Sequence, residues 1–132
     1  MADWLGRGDC FCVGGDLSEF GVATDPASAH MIRSTRNVAA LLLKNAARIE
    51  CRVHRACIGS GIELPAFAGK LVASENTFFQ LPELAMGLIP GAGGTVSILR
   101  RIGRQRLAWW VLSGKKINAT TALAWGLIDE IA

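Results

Sequence analysis

A chain of 132 residues that is 51% hydrophobic and 19% charged is too apolar to be disordered, and it is long enough for one domain burying roughly two-thirds of its unfolded surface. The net charge of +3 describes a mildly basic surface, compatible with an anionic, nucleotide-bearing ligand, and no Lys/Arg run with interleaved aromatics suggests a nucleic-acid groove. Cys10, Cys12, Cys51 and Cys57 form no C-x-x-C pair and His30 and His54 stand at no metal-ligand spacing, so small buried thiols in a reducing compartment are expected and a metal is not.

Asp3, Arg7 and Asp9 precede any apolar run, which argues against a signal peptide, and the helix-like apolar stretch 38–43 is too short to cross a bilayer. The expectation is a soluble, cytoplasmic protein with no membrane or nucleic-acid partner. Residues 4–15 read as an abrupt loop carrying Gly6, Gly8, Gly14 and Gly15, after which Asp16 heads a short helical stretch. Pro26 and Ser28 announce a longer helix over about 27–48, with Met31, Ile32, Val38, Leu41 and Leu42 near helical spacing. Residues 49–58 read as one strand ending at Gly59.

A helix over about 61–68 should follow, with Pro65 tolerated only in its first turn. Residues 70–73 and 77–80 suggest two short strands. The turn 90–95 precedes a helix ending near Arg101, which Gly103 terminates. Residues 104–112 make the next helix, Asn118 or Thr120 caps a last one through Ala124, and 127–131 close as a strand or extended tail. Short strands alternating with helices give an α/β class, in one domain over 1–132.

Several motifs carry chemistry. Gly14-Gly15-Asp16 and Gly59-Ser60-Gly61-Ile62-Glu63 each place glycines before a helix start, where backbone N–H groups point outward. One such turn is usually only a turn; two could aim two donors at one oxygen, as thioester chemistry needs. Pro90-Gly91-Ala92-Gly93-Gly94-Thr95 lacks the sequence of a phosphate-cradling loop and reads locally as a structural turn. Trp109 and Trp110 face about 100° apart on a helix, which suits core or interface packing. Glu63 and Glu83 stand in mostly apolar segments. Each is either a surface accident or a carboxyl whose pKa burial raises into the range of acid–base work.

The order and spacing of these pieces are specific where each alone is not. The stretch Gly6-Arg7-Gly8-Asp9-Cys10-Phe11-Cys12-Val13-Gly14-Gly15-Asp16-Leu17 resembles the first oxyanion-hole loop of the crotonase superfamily (enoyl-CoA hydratase/isomerase). Gly59-Ser60-Gly61-Ile62-Glu63-Leu64 resembles its second, and Leu81-Pro82-Glu83 with Gly87-Leu88-Ile89-Pro90-Gly91-Ala92-Gly93-Gly94-Thr95 is similar to its most recognisable stretch. Residues 112–119 and 124–128 continue the likeness, which runs from about residue 6 to the end.

The resemblance implies a crotonase-like (ClpP/crotonase) core of short strands and helices, without the family's usual N-terminal strands and C-terminal helices. It implies an acyl-CoA thioester as ligand, with coenzyme A entering as part of the substrate and no permanently bound cofactor. By match, the Gly15 and Ser60 N–H groups would be the oxyanion donors. Glu63 would activate water and Glu83 would protonate the α-carbon. Gly14, Asp16, Gly59, Gly61, Pro90 and Gly91 would line the substrate. Keeping both glutamates favours enoyl-CoA hydratase; the alternatives are isomerisation, thioester hydrolysis, or an inactive, oligomeric remnant that still binds acyl-CoA.

The chain also departs from the family pattern. Ser60 replaces a usual glycine, where a positive φ would cost about 1 kcal/mol or more. Arg55 replaces a commonly small residue and Gly69 a frequent aspartate. Ser18 replaces a cofactor-contacting lysine, which leaves Arg7, Arg33 and Arg36 as substitutes. The chain is about half a usual member's length, so exposed edges should drive self-association, as a trimer, a multiple of it, or a non-family assembly.

Overall fold

All residues, 1–132, are described in the computed structural model, and their strands divide between two sheets. The first is wholly parallel and runs β1 (Ala2–Leu5), β2 (Ile49–Val53), β4 (Lys70–Ala73), β7 (Glu130–Ile131) in that spatial order. In the second, β5 (Phe78–Gln80) lies between β3 (Ala56–Ile58), which it pairs in parallel, and β6 (Ile117–Asn118), which it pairs antiparallel. The helices are α1 (Pro26–Thr35), α2 (Val38–Asn45), α3 (Ser60–Glu63), α4 (Gly94–Ile102), α5 (Arg104–Ser113) and α6 (Ala119–Trp125). No helix is long and apolar enough to cross a membrane.

The expected strand over 49–58 is two strands in two different sheets. The break is at His54-Arg55, where Arg55 has φ 51°, the one positive φ outside glycine. The expected helix over 27–48 is also broken. Arg36 leaves helical geometry, and the Asn37 side chain caps α2 by accepting the Ala40 N–H at 2.9 Å. Neither α1 nor α2 buries a residue, so Met31, Ile32, Val38 and Leu41 are exposed rather than packed. The helix expected over 61–68 is the single turn of α3 followed by a 3-10 turn at Pro65–Phe67. At the start, Trp4 and Leu5 belong to β1 rather than to a loop; β6 carries no recognisable strand pattern of its own.

The core sits between the sheets and the α4–α6 side of the chain. Cys51, Ile62, Leu71, Phe79, Ile98 and Trp110 are fully enclosed there. Trp110 keeps its indole N–H satisfied by donating to the Lys115 carbonyl at 2.8 Å. Trp109 is instead half exposed, edge-on to Trp125. Of the four free thiols, Cys51 and Cys57 are buried as expected, and burial pushes Cys51 up to about 12; Cys10 and Cys12 are only half-buried.

The amphipathic helix α4 buries Gly94, Ser97, Ile98 and Ile102, the spacing of one helical face. Arg101, on the same helix, donates to the Ala66 carbonyl at 2.9 Å, the Ala68 carbonyl at 2.6 Å, and Leu127 and Asp129 at 3.2 and 3.1 Å. Those bonds tie the 3-10 turn after α3 to the segment that leads into β7.

The left-handed Arg55 costs about 1–2 kcal/mol, against the 0.5–1 kcal/mol that glycine's extra chain freedom would take back. Arg55→Gly should therefore raise stability by roughly 0.5–1 kcal/mol in a urea melt. A loss of stability would show that the exposed Arg55 side chain contributes contacts that outweigh its backbone strain.

Candidate active site

Glu63 ends α3 and Glu83 begins the 3-10 turn Glu83–Met86, and both are buried, at 2% and 7% exposure. Neither is a surface accident. The Glu63 Oε2 accepts the Ala92 N–H at 2.9 Å and the Gly94 N–H at 2.8 Å. These amides come from the turn before α4 and from its first residue, where helical N–H groups lack intrahelical partners and the helix dipole is positive. Glycine at 94 is required for this approach: a Cβ there would lie 2.7 Å from Glu63 Cγ and 2.9 Å from its Oε2.

Glu83 is the opposite case, since its Oε2 is buried with no hydrogen-bond partner. Its other oxygen lies beside Gly59, so close that a Cβ on Gly59 would stand 2.9 Å from Oε1. Gly59 caps α3, and its carbonyl accepts the Glu63 N–H at 3.0 Å. The two carboxyls therefore flank a single helical turn. Burial raises the pKa of both above the ordinary glutamate value. For Glu63 the amides of Gly94, Ala92 and Gly93 oppose that rise; for Glu83 the neighbouring Glu63 adds to it.

The two glycine loops meet through the backbone. Cys12 forms a parallel bridge with Cys57, donating to Ala56 at 3.2 Å and accepting from Ile58 at 3.0 Å. A Cβ on Gly61 would fall 2.3 Å from the Cys12 carbonyl oxygen, and one on Gly14 (φ 106°) would fall 3.3 Å from that of Ile58. Gly14-Gly15 and Gly59-Ser60-Gly61 are thus brought side by side. Neither the Gly15 nor the Ser60 N–H donates to any backbone acceptor. The strain expected at Ser60 is absent, because Ser60 is the first helical residue of α3 and the positive φ of 54° falls on Gly59.

The remaining expected residues are distributed around this centre. Gly59 and Gly61 are buried within it. Pro90 is buried and Gly91 exposed at the turn that leads to the Glu63 donors. Asp16 is exposed, and its carboxylate accepts the Ser18 N–H and hydroxyl at 2.9 and 2.7 Å, which holds its pKa below the usual range. It caps its own 3-10 turn. An open cavity of about 450 Å³ borders Ser60 and Gly61 and is walled by Trp4, Arg7, Phe11 and Leu64. Neither glutamate lines it, so the carboxyls sit beside this opening and not in it. No cluster of residues capable of holding a metal is present.

Sequence reasoning missed Ala92, Gly94 and Ser97. The signal for the first two was there: a glycine-rich turn entering a helix presents free N–H groups to an anion. Ser97 had no such signal.

A sequence model described as enoyl-CoA hydratase/isomerase matches residues 5–132. The chain is 32% identical to an enoyl-CoA isomerase/hydratase of Mycosarcoma maydis over 127 residues, which is 96% of this chain and 46% of that one. It is 32% identical to the 2,3-dehydroadipyl-CoA hydratase of Escherichia coli over 126 residues, 96% of this chain and 49% of that one. Among solved structures, an enoyl-CoA hydratase from Thermoplasma volcanium superposes with a TM-score of 0.88 at 33% identity, covering 98% of this chain and 52% of that one. The chain thus spans about half the length of these curated relatives. With that match running from residue 5 to the end, and an α/β fold that follows crotonase-fold structures, the chain belongs to the enoyl-CoA hydratase/isomerase family of the crotonase superfamily.

Proposed function

We propose that this chain forms a hydratase centre that adds water, syn, across the 2,3 double bond of an enoyl-CoA thioester. The observation that carries the reading is the unequal pair of buried carboxyls: Glu63 is held by two amides, and Glu83 keeps an oxygen without a partner. Burial raises both carboxyls, but at Glu63 the amide donors oppose that rise while at Glu83 the adjacent Glu63 adds to it, so Glu63 is the readier of the two to ionise. Opposite roles follow. The Glu63 carboxylate takes a proton from a water molecule as the water oxygen bonds to C3. The Glu83 carboxyl gives its proton to C2. The electron pair of the double bond passes through the thioester carbonyl, whose oxygen the free N–H groups of Gly15 and Ser60 would stabilise; one such donor is worth roughly 3–4 kcal/mol.

Coenzyme A would enter as part of the thioester and leave with it. Gly14, Gly59 and Gly61 would let the acyl group approach the backbone, and Arg7 at the mouth of the neighbouring cavity is an available cation. Isomerisation would need mainly Glu83. The amides committed to Glu63 support a reaction that uses both carboxyls.

Crotonyl-CoA hydration, followed by loss of the enoyl thioester absorbance, tests this. Wild-type protein should turn over, and Glu63→Gln and Glu83→Gln should each lower kcat by roughly 10²–10⁴-fold. Turnover indifferent to both changes would overturn the roles. Binding without turnover would mark an acyl-CoA-binding protein that is not a catalyst.

The raised pKa values also bear on stability. A carboxyl whose folded pKa lies above its unfolded one stabilises the fold while protonated, and that contribution is lost as pH rises through the folded value. Glu83→Gln should therefore raise the Tm at neutral pH, with the gain disappearing as pH falls below about 4.5, near the ordinary glutamate pKa. An equal Tm difference at both pH values would show that charge is not its cause.

The same reading extends to assembly, as a homo-oligomer. Leu5, Met31, Leu41, Ile89 and Leu112 are each at least 59% exposed, and a parallel sheet edge such as β1 is ordinarily covered. Size-exclusion chromatography with light scattering should give a mass above that of one chain. A monodisperse monomer would overturn self-association.

A further inference from the structure

Glu63 is gripped at two points, and only one of them is its carboxylate. Its main-chain carbonyl lies at the end of α3, where helical carbonyls lose their partners. The Phe67 N–H, which an extended helix would have offered it, donates to Leu64 at 3.0 Å instead. The acceptor is satisfied by the Ser97 hydroxyl at 2.6 Å, reaching across 34 residues of sequence. Ser97 is 1% exposed and sits one turn along α4 from Gly94, on the same face. A serine inside a helix ordinarily bonds back to its own preceding turn or points to solvent; this one binds the neighbouring helix.

We propose that Ser97 is a positioning residue for Glu63, pinning its main chain to α4 while the start of the same helix takes its carboxylate. The inference deepens the hydratase reading and rests on it for its kinetic consequence. Gly94 and Glu63 are already at contact distance, so a shift of α3 along or away from α4 moves Oε2 off the amides of Ala92 and Gly94. Without the hydroxyl, the Glu63 carbonyl is buried and unpaired, which favours such a shift. The charged group that faces Glu63 is Glu83; Arg101, further along α4, is spent on the carbonyls of Ala66, Ala68 and Leu127 and on Asp129.

The test compares Ser97→Ala with Ser97→Thr, which restores a hydroxyl, and with Ser97→Cys, a weak donor that serves if the alanine protein does not fold. The first readout is the titration of Glu63 by carbon NMR on protein labelled at the glutamate carboxyls, assigned with Glu63→Gln. Loss of the amide donors should move its midpoint upward in Ser97→Ala and Ser97→Cys, and Ser97→Thr should return it. The second readout is crotonyl-CoA hydration, in which kcat should fall roughly tenfold with KM unchanged and recover in Ser97→Thr. A Glu63 midpoint and kcat equal to wild type, with only Tm lowered, would overturn the proposal. An inactive wild type whose Glu63 midpoint still shifts with Ser97→Ala would uphold the positioning and defeat the hydratase reading.

Discussion

Taking a carboxylate out of water costs several kcal/mol unless donors meet it, and Glu63 meets them at the amides of Ala92 and Gly94. Much of the local architecture depends on that contact. It requires α4 to begin at residue 94, it requires no side chain there, and it requires α3 to end with its last residue turned onto that helix. Arg101 and Ser97 then extend the grip, so that one face of α4 holds the carboxylate, the carbonyl and the adjoining 3-10 turn of a single segment. A helix start that would otherwise leave its N–H groups unmet has become a rigid mount for a buried carboxyl.

Glu83 shows the other side of the same physics. Its unpartnered buried oxygen is a deficit that the folded chain carries without local compensation, and the neighbouring Glu63 charge enlarges it. Such a deficit persists where the surrounding structure over-determines it, and here Gly59 and the cap of α3 fix the place of the carboxyl. That asymmetry between two chemically identical side chains comes from the amides that meet one of them and from the charge beside the other.

The residues of the candidate site were legible in the sequence, because glycine-rich turns and carboxyls set in apolar segments announce themselves by residue type. Gly59, Gly61, Glu63 and Glu83 stand at fixed spacings, and the resemblance they carry extended to the fold. Elements with their own punctuation were also legible: Gly103 separates α4 from α5, and Asn118 caps α6. The features that escaped were set by contacts distant in sequence. The break at Arg55 divides a run that reads as one strand, and nothing local announces that its halves join different sheets. Asn37 interrupts a pattern that is otherwise helical throughout. The Ser97 hydroxyl looks like any helical serine until α3 is placed beside it.

These differences in legibility track the division between the well-packed and exposed parts of the chain. Glu63, Glu83, α3 and α4 lie against the enclosed core of Ile62, Phe79, Leu81 and Ile98. Helices α1 and α2 bury no residue fully, and Met31, Ile32, Val38 and Leu41 face outward. Their sequence pattern is that of packed helices, with apolar positions that recur as if another surface were present. The geometry around the two glutamates does not depend on such a surface, since each bond that fixes them is made by residues 59–101. The open cavity beside Ser60 is rimmed by Trp4, Leu5 and Arg7, and neither carboxyl lines it. Placement of Glu63 is thus a property of the α3–α4 contact, and placement of Glu83 is a property of the 3-10 turn that sets its Oε1 beside Gly59.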